Sequence, residues 1–338
     1  MPKLHYAELW RARAIPTSTR KHATVTSLAP APAANRWWIY QRERFPLLAH
    51  GVLIAAFSAS AVSFSGLLRG GHQVPQLASY LVAFVSSFLL FLQLRIADEF
   101  KDFDEDLRHR PYRPVPRGLV KLRELAVIGV VGAIVQLALA LWLAPGLALL
   151  LFLTWAYLAL MTREFFAREW ICARPITYLW THMLILPLAD FYATACDWLR
   201  AGSATPAGLF WFVALSFCNG VTLELGRKIR APGDEEDGVR TYSRLWGRKH
   251  ASLAWLAALI VTAACAIFAS VKINFTGPVA TALLMLLGVA ALLVHRYLNE
   301  PVTRRARMLE HFSGVWTLVL YLMLGVVPLL CKTMEVHQ

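Results

Sequence analysis

Beyond residue 45 the chain alternates between long apolar runs and short polar stretches. The runs cover 46–66, 77–97, 124–143, 145–161, 175–195, 206–226, 251–271, 277–296 and 314–331. A helix needs about 20 apolar residues to cross the hydrocarbon of a bilayer. The nine runs approach or reach that length, the fourth being the shortest. Its link to the third, Ala144-Pro145-Gly146, predicts a helical hairpin. Glycine and proline inside such runs are tolerated when neighbouring helices satisfy the freed backbone groups. The pattern therefore predicts an all-α integral membrane bundle of nine transmembrane helices over 45–331. A flexible basic arm over 1–44 precedes it and a short tail over 332–338 follows. Ala, Pro, Ser and Thr dominate 23–35, and Arg36-Trp37-Trp38-Ile39-Tyr40 reads as an interfacial anchor. The arm lacks the apolar core of about 7–15 residues that marks a signal peptide.

Composition narrows the class. Of 338 residues, 57% are hydrophobic and only 16% charged, whereas a soluble domain carries about 25% charge. The five cysteines are scattered through apolar stretches with no CxxC pair, which predicts small buried side chains. The net charge of +13 would suggest nucleic acid on a soluble protein, but here it follows topology. Of 34 Lys and Arg residues, 29 fall on residues 1–45, in the loops after the even-numbered runs or, for Arg296, at the last position of the eighth run. That asymmetry puts the N-terminus in the cytoplasm and the C-terminus on the opposite side, with a bacterial inner membrane as the expected location. It accounts for the charge without nucleic acid and gives a face that attracts membrane lipid headgroups.

Two acidic stretches stand out against this basic side. Asp98-Glu99-Phe100-Lys101-Asp102-Phe103-Asp104-Glu105-Asp106 lies at the end of the second run, and Asp234-Glu235-Glu236-Asp237 follows the sixth. If the second helix continues, Asp98, Asp102 and Asp106 share one face, with Glu99 beside it. Stacked carboxylates repel one another, and a hard divalent cation removes the repulsion. Mg2+ suits oxygen ligands and is commonly completed by substrate phosphates. The candidate metal ligands are thus Asp98, Glu99, Asp102 and Asp106, joined by Asp234 and Asp237 from the second loop. Such a stack at a membrane boundary fits a lipid-borne diphosphate. Arg110, Arg113, Arg227 and Arg230 can pair with phosphate oxygens. Prolines 111, 114 and 116 set a rigid turn after the first acidic stretch.

Asp98-Glu99-x-x-Asp102-x-x-x-Asp106 resembles the NDxxDxxxD signature of the UbiA superfamily of membrane prenyltransferases. Arg110-Pro111-x-Arg113-Pro114-x-Pro116-x-Gly118 continues the likeness, which extends over roughly residues 40–331. Asp98 stands where the family usually has Asn, Glu99 where it has Asp, and His109 at a position often held by Asn. The second motif departs further. The family carries spaced aspartates there, whereas Lys228 and Ala231 fall near the usual first acids and the remaining acids are bunched further along. The resemblance implies Mg2+-dependent transfer of a prenyl group from a polyprenyl diphosphate to an acceptor, with Asp102 and Asp106 as catalytic residues; Lys228, which departs from the family pattern, is added to them for the charge it brings to the diphosphate. Arg227, Lys228 and Arg230 would neutralise charge that a second metal otherwise meets, which predicts one Mg2+ rather than two. A terpene cyclase or a phosphoprenyl-sugar-forming transferase fits the same motifs. A divalent-cation or lipid transporter would need a polar path that the apolar runs do not offer.

Ionisable and amide side chains inside the runs are the remaining candidates. Glu224, near the inner end of the sixth run, is placed to orient an arginine of the phosphate site. His182 and Asn219 are candidates for an acceptor pocket, His182 about 12 Å into the fifth run. A single bond between helices is the competing use of both residues. Asp190 lies far from the cytoplasmic end. The stretch from Thr162 to Trp170 reads as an amphipathic lid.

Overall fold

The computed structural model describes residues 36–70 and 74–336, which are helical with no strand. The helices are α1 (Arg36–Arg44), α2 (Leu47–Leu68), α3 (Leu77–Lys101), α4 (Phe103–His109), α5 (Leu122–Leu143), α6 (Gly146–Thr162), α7 (Arg168–Cys172), α8 (Pro175–Met183), α9 (Ile185–Trp198), α10 (Leu209–Arg227), α11 (Tyr242–Trp246), α12 (Arg248–Lys272), α13 (Thr276–Asn299), α14 (Thr303–Leu324) and α15 (Val326–Val336).

Among the described residues seven helical stretches are long and apolar enough to cross a membrane: α2, α3, α5, α10, α12, α13 and the α14–α15 stretch. Seven falls short of the expected nine, and three of the expected runs depart from a single long helix. The fourth run forms α6, of only 17 residues. The fifth breaks at Leu184 into α8 and α9, and the ninth bends at Gly325. Both breaks have one cause. Proline has no N–H to give to the carbonyl four residues back, and its ring crowds that carbonyl. Four residues before Pro187 and Pro328 are Met183 and Leu324, the last residues of α8 and α14.

The long helices pack as a closed circuit. Neighbours touch in the order α2, α3, α5, α6, α9, α10, α12, α13, α14, and α14 returns to α2. Helix α2 lies innermost, with 67% of its spanning window buried, against 22% for α5 and α13. Its buried Ser58, Ser60, Ser63 and Ser65 let neighbouring backbones approach closely. The closest approach is at Gly325, where an added Cβ would stand 2.3 Å from the Ser60 Cα. The Phe64 and Phe212 rings stack at 4.5 Å within this core. Val130 and Ile134 of α5 and Leu284 and Met285 of α13 face outward, as lipid-facing positions require.

Both ends of the expected domain shift. The arm expected over 1–44 ends in α1, because Tyr40 packs with Ile96, Val115, Val120 and Leu125. Residues 1–35 lie outside the described residues. The tail expected from 332 is instead helical through Val336, as part of α15.

The loops after α3, α6, α10 and α13 gather at one end. Arg110 Nε donates to Glu236 Oε2 at 3.3 Å, Arg240 to the Cys172 carbonyl at 2.6 Å, and Thr303 Oγ1 to Asp234 Oδ1 at 2.9 Å. Gly238 (φ +80°) fits directly against His109, where a Cβ would come within 2.5 Å of the ring. Both acidic stretches are therefore brought to the same mouth.

Candidate functional site

The first acidic stretch keeps helical register across a kink. Asp102 caps α3 with φ −98° and ψ 6°. Even so, the Asp102 N–H donates to the Asp98 carbonyl at 2.9 Å and the Asp106 N–H to the Asp102 carbonyl at 2.8 Å. Asp98, Asp102 and Asp106 therefore stay on one face, as their spacing predicts. Their side chains differ in what they meet. Asp106 is buried, 2.5 Å from Arg113 and 3.6 Å from Arg110. Asp98 makes only long ion pairs, 3.5 Å to Arg95 and 3.7 Å to Lys101. The Asp102 carboxyl makes no hydrogen bond or ion pair among the described residues. Burial pushes its pKa up to about 6, the charges of Asp98, Asp106 and Glu105 add to this, and Lys101 opposes it.

Glu99 leaves the face of the three aspartates. Its carboxylate is ion-paired with Arg44 of α1, and the two side chains keep 1% and 9% of their exposure. The structure thus places Glu99 in a contact between α1 and α3, away from the aspartate face. The second loop is likewise committed elsewhere. Asp234 accepts from Thr303, Glu235 accepts from Thr241 (2.5 Å) and Ser243 (2.6 Å), and Asp237 projects into solvent beside Arg244. Among the described residues no three His, Cys, Asp or Glu side chains are assembled as a metal cage. Asp98 and Asp102 remain as the carboxylates of this face that no contact shorter than 3.5 Å occupies among the described residues. Two carboxylates completed by phosphate oxygens is the usual way that Mg2+ is held, and the crowded charge around Asp102 is what such an ion relieves.

Basic groups face this pair from α10. Glu224 holds Arg227 at 2.5 Å and Lys228 at 2.7 Å, fixing both at the end of the helix. Lys228 Nζ lies 5.5 Å from the centre of the Tyr178 ring and 5.7 Å from that of Tyr242. Lys101 Nζ approaches the same Tyr178 ring at 5.6 Å and donates to the Tyr178 hydroxyl oxygen at 3.1 Å. One aromatic ring is thus flanked by the lysine of the first motif and the lysine of the second, in cation–π contact with each. Arg230 is anchored through its backbone, its N–H donating to Ser243 Oγ and its carbonyl accepting from the Tyr297 hydroxyl.

His182 belongs to this mouth as well. Its Nδ1 faces the Tyr178 carbonyl at 2.9 Å, its Nε2 faces Glu164 at 3.2 Å, and its ring stacks on Tyr178. Glu164 also meets Lys101 at 3.5 Å, so Asp98, Lys101, Glu164 and His182 form a chain of contacts. Burial raises the Glu164 pKa, but His182 and Lys101 outweigh it and the carboxyl titrates below its ordinary value. The backbone around it is strained. Glu164, Phe165 and Phe166 have φ of 49°, 52° and 56°, a region that side-chain-bearing residues rarely enter and that clusters at functional sites. Sequence reasoning passed over Glu164, Lys101 and Tyr178. No glycine marks the turn, and a single Glu among aromatics carries no signal. Asn219, by contrast, accepts from Thr317 Oγ1 at 3.1 Å and joins α10 to α14.

Comparison with known proteins bears on the family and the fold. The model of the UbiA prenyltransferase family matches residues 58–314. No curated protein matches the chain by sequence. The fold is similar to the apo structure of a UbiA homologue from Aeropyrum pernix K1, with a TM-score of 0.63 at 17% identity over 84% of this chain and 98% of that one. It is also similar to a digeranylgeranylglyceryl phosphate synthase structure, with a TM-score of 0.58 at 14% identity over 88% and 99%. A third similar structure is a UbiA homologue from Archaeoglobus fulgidus bound to DMAPP and Mg2+, with a TM-score of 0.50 at 11% identity over 83% and 98%. With a family match over most of its length and the two motifs facing each other at one mouth of a helical bundle, this membrane protein belongs to the UbiA prenyltransferase family.

Proposed function

We propose that the protein transfers a prenyl group from a polyprenyl diphosphate to an acceptor within the membrane, with Mg2+ at the mouth of the bundle. The observation that carries this reading is the facing of the two motifs across Tyr178, beside an Asp102 carboxyl with no partner among the described residues. Asp98 and Asp102 hold the cation. Mg2+ supplies charge stabilisation for the diphosphate as its allylic C–O bond breaks. Arg110, Arg113, Arg227, Lys228 and Arg230 bind the phosphate oxygens, and their charge counts most as the leaving group gains its own. Asp106 positions Arg110 and Arg113, and Glu224 positions Arg227 and Lys228. Glu99 braces α1 on α3. Asp234 and Asp237 lie outside the metal site, which therefore takes one ion. The prenyl chain runs between helices, where water is excluded from the reacting carbon. His182, held by Glu164, faces the acceptor side. The distribution of Lys and Arg supports a cytoplasmic mouth and N-terminus and a C-terminus on the far side; the site of action in this reading is a bacterial inner membrane.

The test uses purified protein in nanodiscs with Mg2+ and a series of labelled prenyl diphosphates, following diphosphate release. Release is expected from the wild type and lost in Asp102→Ala. A wild-type rate in Asp102→Ala overturns the assignment. A hydrocarbon product formed with no added acceptor would reassign the chemistry to cyclisation. Mg2+ uptake into liposomes without prenyl substrate would reassign it to transport.

A further inference from the structure

A charged cavity lies between α13 and α14, beside the loop mouth and lined by no residue of either acidic stretch. It has a volume of about 480 Å³, with Leu293, Arg296, Glu300, Arg304, Arg305 and Met308 in its lining. Arg305 is spoken for, pairing with Glu300 at 2.5 Å and donating to the Arg296 carbonyl at 2.6 Å. The guanidinium groups of Arg296 and Arg304 make no ion pair or hydrogen bond among the described residues. With Glu300 matched to Arg305, the cavity carries two uncompensated positive charges. It also opens at the start of α14, where unpaired N–H groups favour an anion.

The cavity is continuous with an apolar stripe. Met285, Val289 and Leu292 are exposed on α13, and their spacing runs along one face of the helix to Arg296. Leu293 and Met308 form the apolar part of the lining. The Thr303–Asp234 and Tyr297–Arg230 contacts place the charged end beside the loop mouth, hence at the membrane boundary. A ligand that satisfies both parts carries a phosphate at one end and hydrocarbon at the other. Basic pockets between transmembrane helices recognise anionic lipid headgroups in this way.

We propose that this cavity binds the phosphate of an anionic glycerophospholipid. Arg296 and Arg304 grip the phosphate oxygens, and an acyl chain lies along Met285, Val289 and Leu292. The guanidinium fork matches phosphate in a planar, two-bond geometry. The stripe is what favours a lipid over a free phosphate. The site is independent of the transfer reaction and needs no prenyl substrate.

The test measures lipid binding to the full-length protein by native mass spectrometry and by the shift of its thermal unfolding midpoint. The probes are phosphatidylglycerol, phosphatidylcholine, glycerol phosphate and inorganic phosphate. We expect phosphatidylglycerol to be retained and stabilising, and the other three to bind weakly. The Arg296→Ala/Arg304→Ala double variant removes no internal contact and is expected to bind phosphatidylglycerol about 30-fold more weakly, at roughly 1 kcal/mol per arginine near the surface. A charge-matched control, Arg123→Ala/Lys249→Ala, is expected to bind as the wild type does. Equal loss in the control, or wild-type affinity in the double variant, overturns the proposal. Inorganic or glycerol phosphate binding as tightly as phosphatidylglycerol overturns the lipid and makes this a soluble phosphate site.

Discussion

Changing Glu99 to glutamine separates two jobs that neighbouring carboxylates hold at the end of α3. The substitution keeps the shape and removes the charge, leaving Arg44 facing a neutral amide. The two side chains retain 1% and 9% of their exposure, so the arginine cannot regain full hydration without moving α1. Breaking a buried pair from one side costs about 3–5 kcal/mol, and the residual exposure of Arg44 puts this case near 3. Replacing both residues together removes the stranded charge, so Arg44→Met/Glu99→Met is expected to recover most of that loss. The assay is reversible denaturant unfolding in mixed micelles as a double-mutant cycle, run beside Mg2+-dependent diphosphate release at a temperature where every variant is folded. Glu99→Gln is expected to unfold earlier yet keep its Mg2+ dependence when folded. If it unfolds like the wild type and needs far more Mg2+, Glu99 is a metal ligand and the division of roles argued above is wrong.

Four further outcomes follow from the same geometry. Burial holds the Asp102 carboxyl up to about 6, above the ordinary 3.8, so its ionisation costs stability in full above about pH 6 and the penalty fades as pH falls from 6 to 3.8. In EDTA at pH 7.5, Asp102→Asn should therefore stabilise the fold by up to about 3 kcal/mol and raise the unfolding midpoint, while activity is lost; an unchanged midpoint counts against the buried charge. Half-maximal Mg2+ for the wild type should rise as pH falls from 7 to 5, since protons compete at that carboxyl, and a flat profile would contradict this. Metal titration in the presence of an unreactive diphosphate analogue should give one bound Mg2+ for the wild type and two for Lys228→Asp; two in the wild type would reject the role given to Lys228. Gly238→Ala combines a left-handed φ with a Cβ 2.5 Å from His109, so it should cost about 1–2 kcal/mol from the backbone alone. It should also slow diphosphate release by separating the loops, and normal release with normal stability would show that the loops need not dock.

How far the sequence carries the fold can be judged at individual residues. Helix positions follow from the apolar runs, because lipid leaves the backbone little alternative. The breaks after Met183 and Leu324 were visible too, in Pro187 and Pro328, but a bundle tolerates proline inside a span and the residue alone does not say whether the helix bends or stops. The common face of Asp98, Asp102 and Asp106 was legible because i to i+4 spacing is local. The fate of Glu99 was not. Its partner Arg44 is 55 residues away, and only packing of α1 brings the two together. His182 was legible as polar within an apolar run, but the Glu164 that holds it depends on three consecutive left-handed residues with no glycine to announce them. The acids of the second loop were visible, while their capture by Thr303, Thr241 and Ser243 depends on tertiary folding.

The closure of the helical circuit between α2 and α14 has a bearing on biogenesis. Among the described spanning segments, the one that leaves the ribosome first is the most in need of protein cover, and α14, which covers part of it, leaves last. Until α14 arrives, part of the serine-lined surface of α2 must face lipid or a chaperone. A nascent chain halted before Thr303 is therefore expected to be a substrate for membrane quality control, however well its earlier helices have inserted.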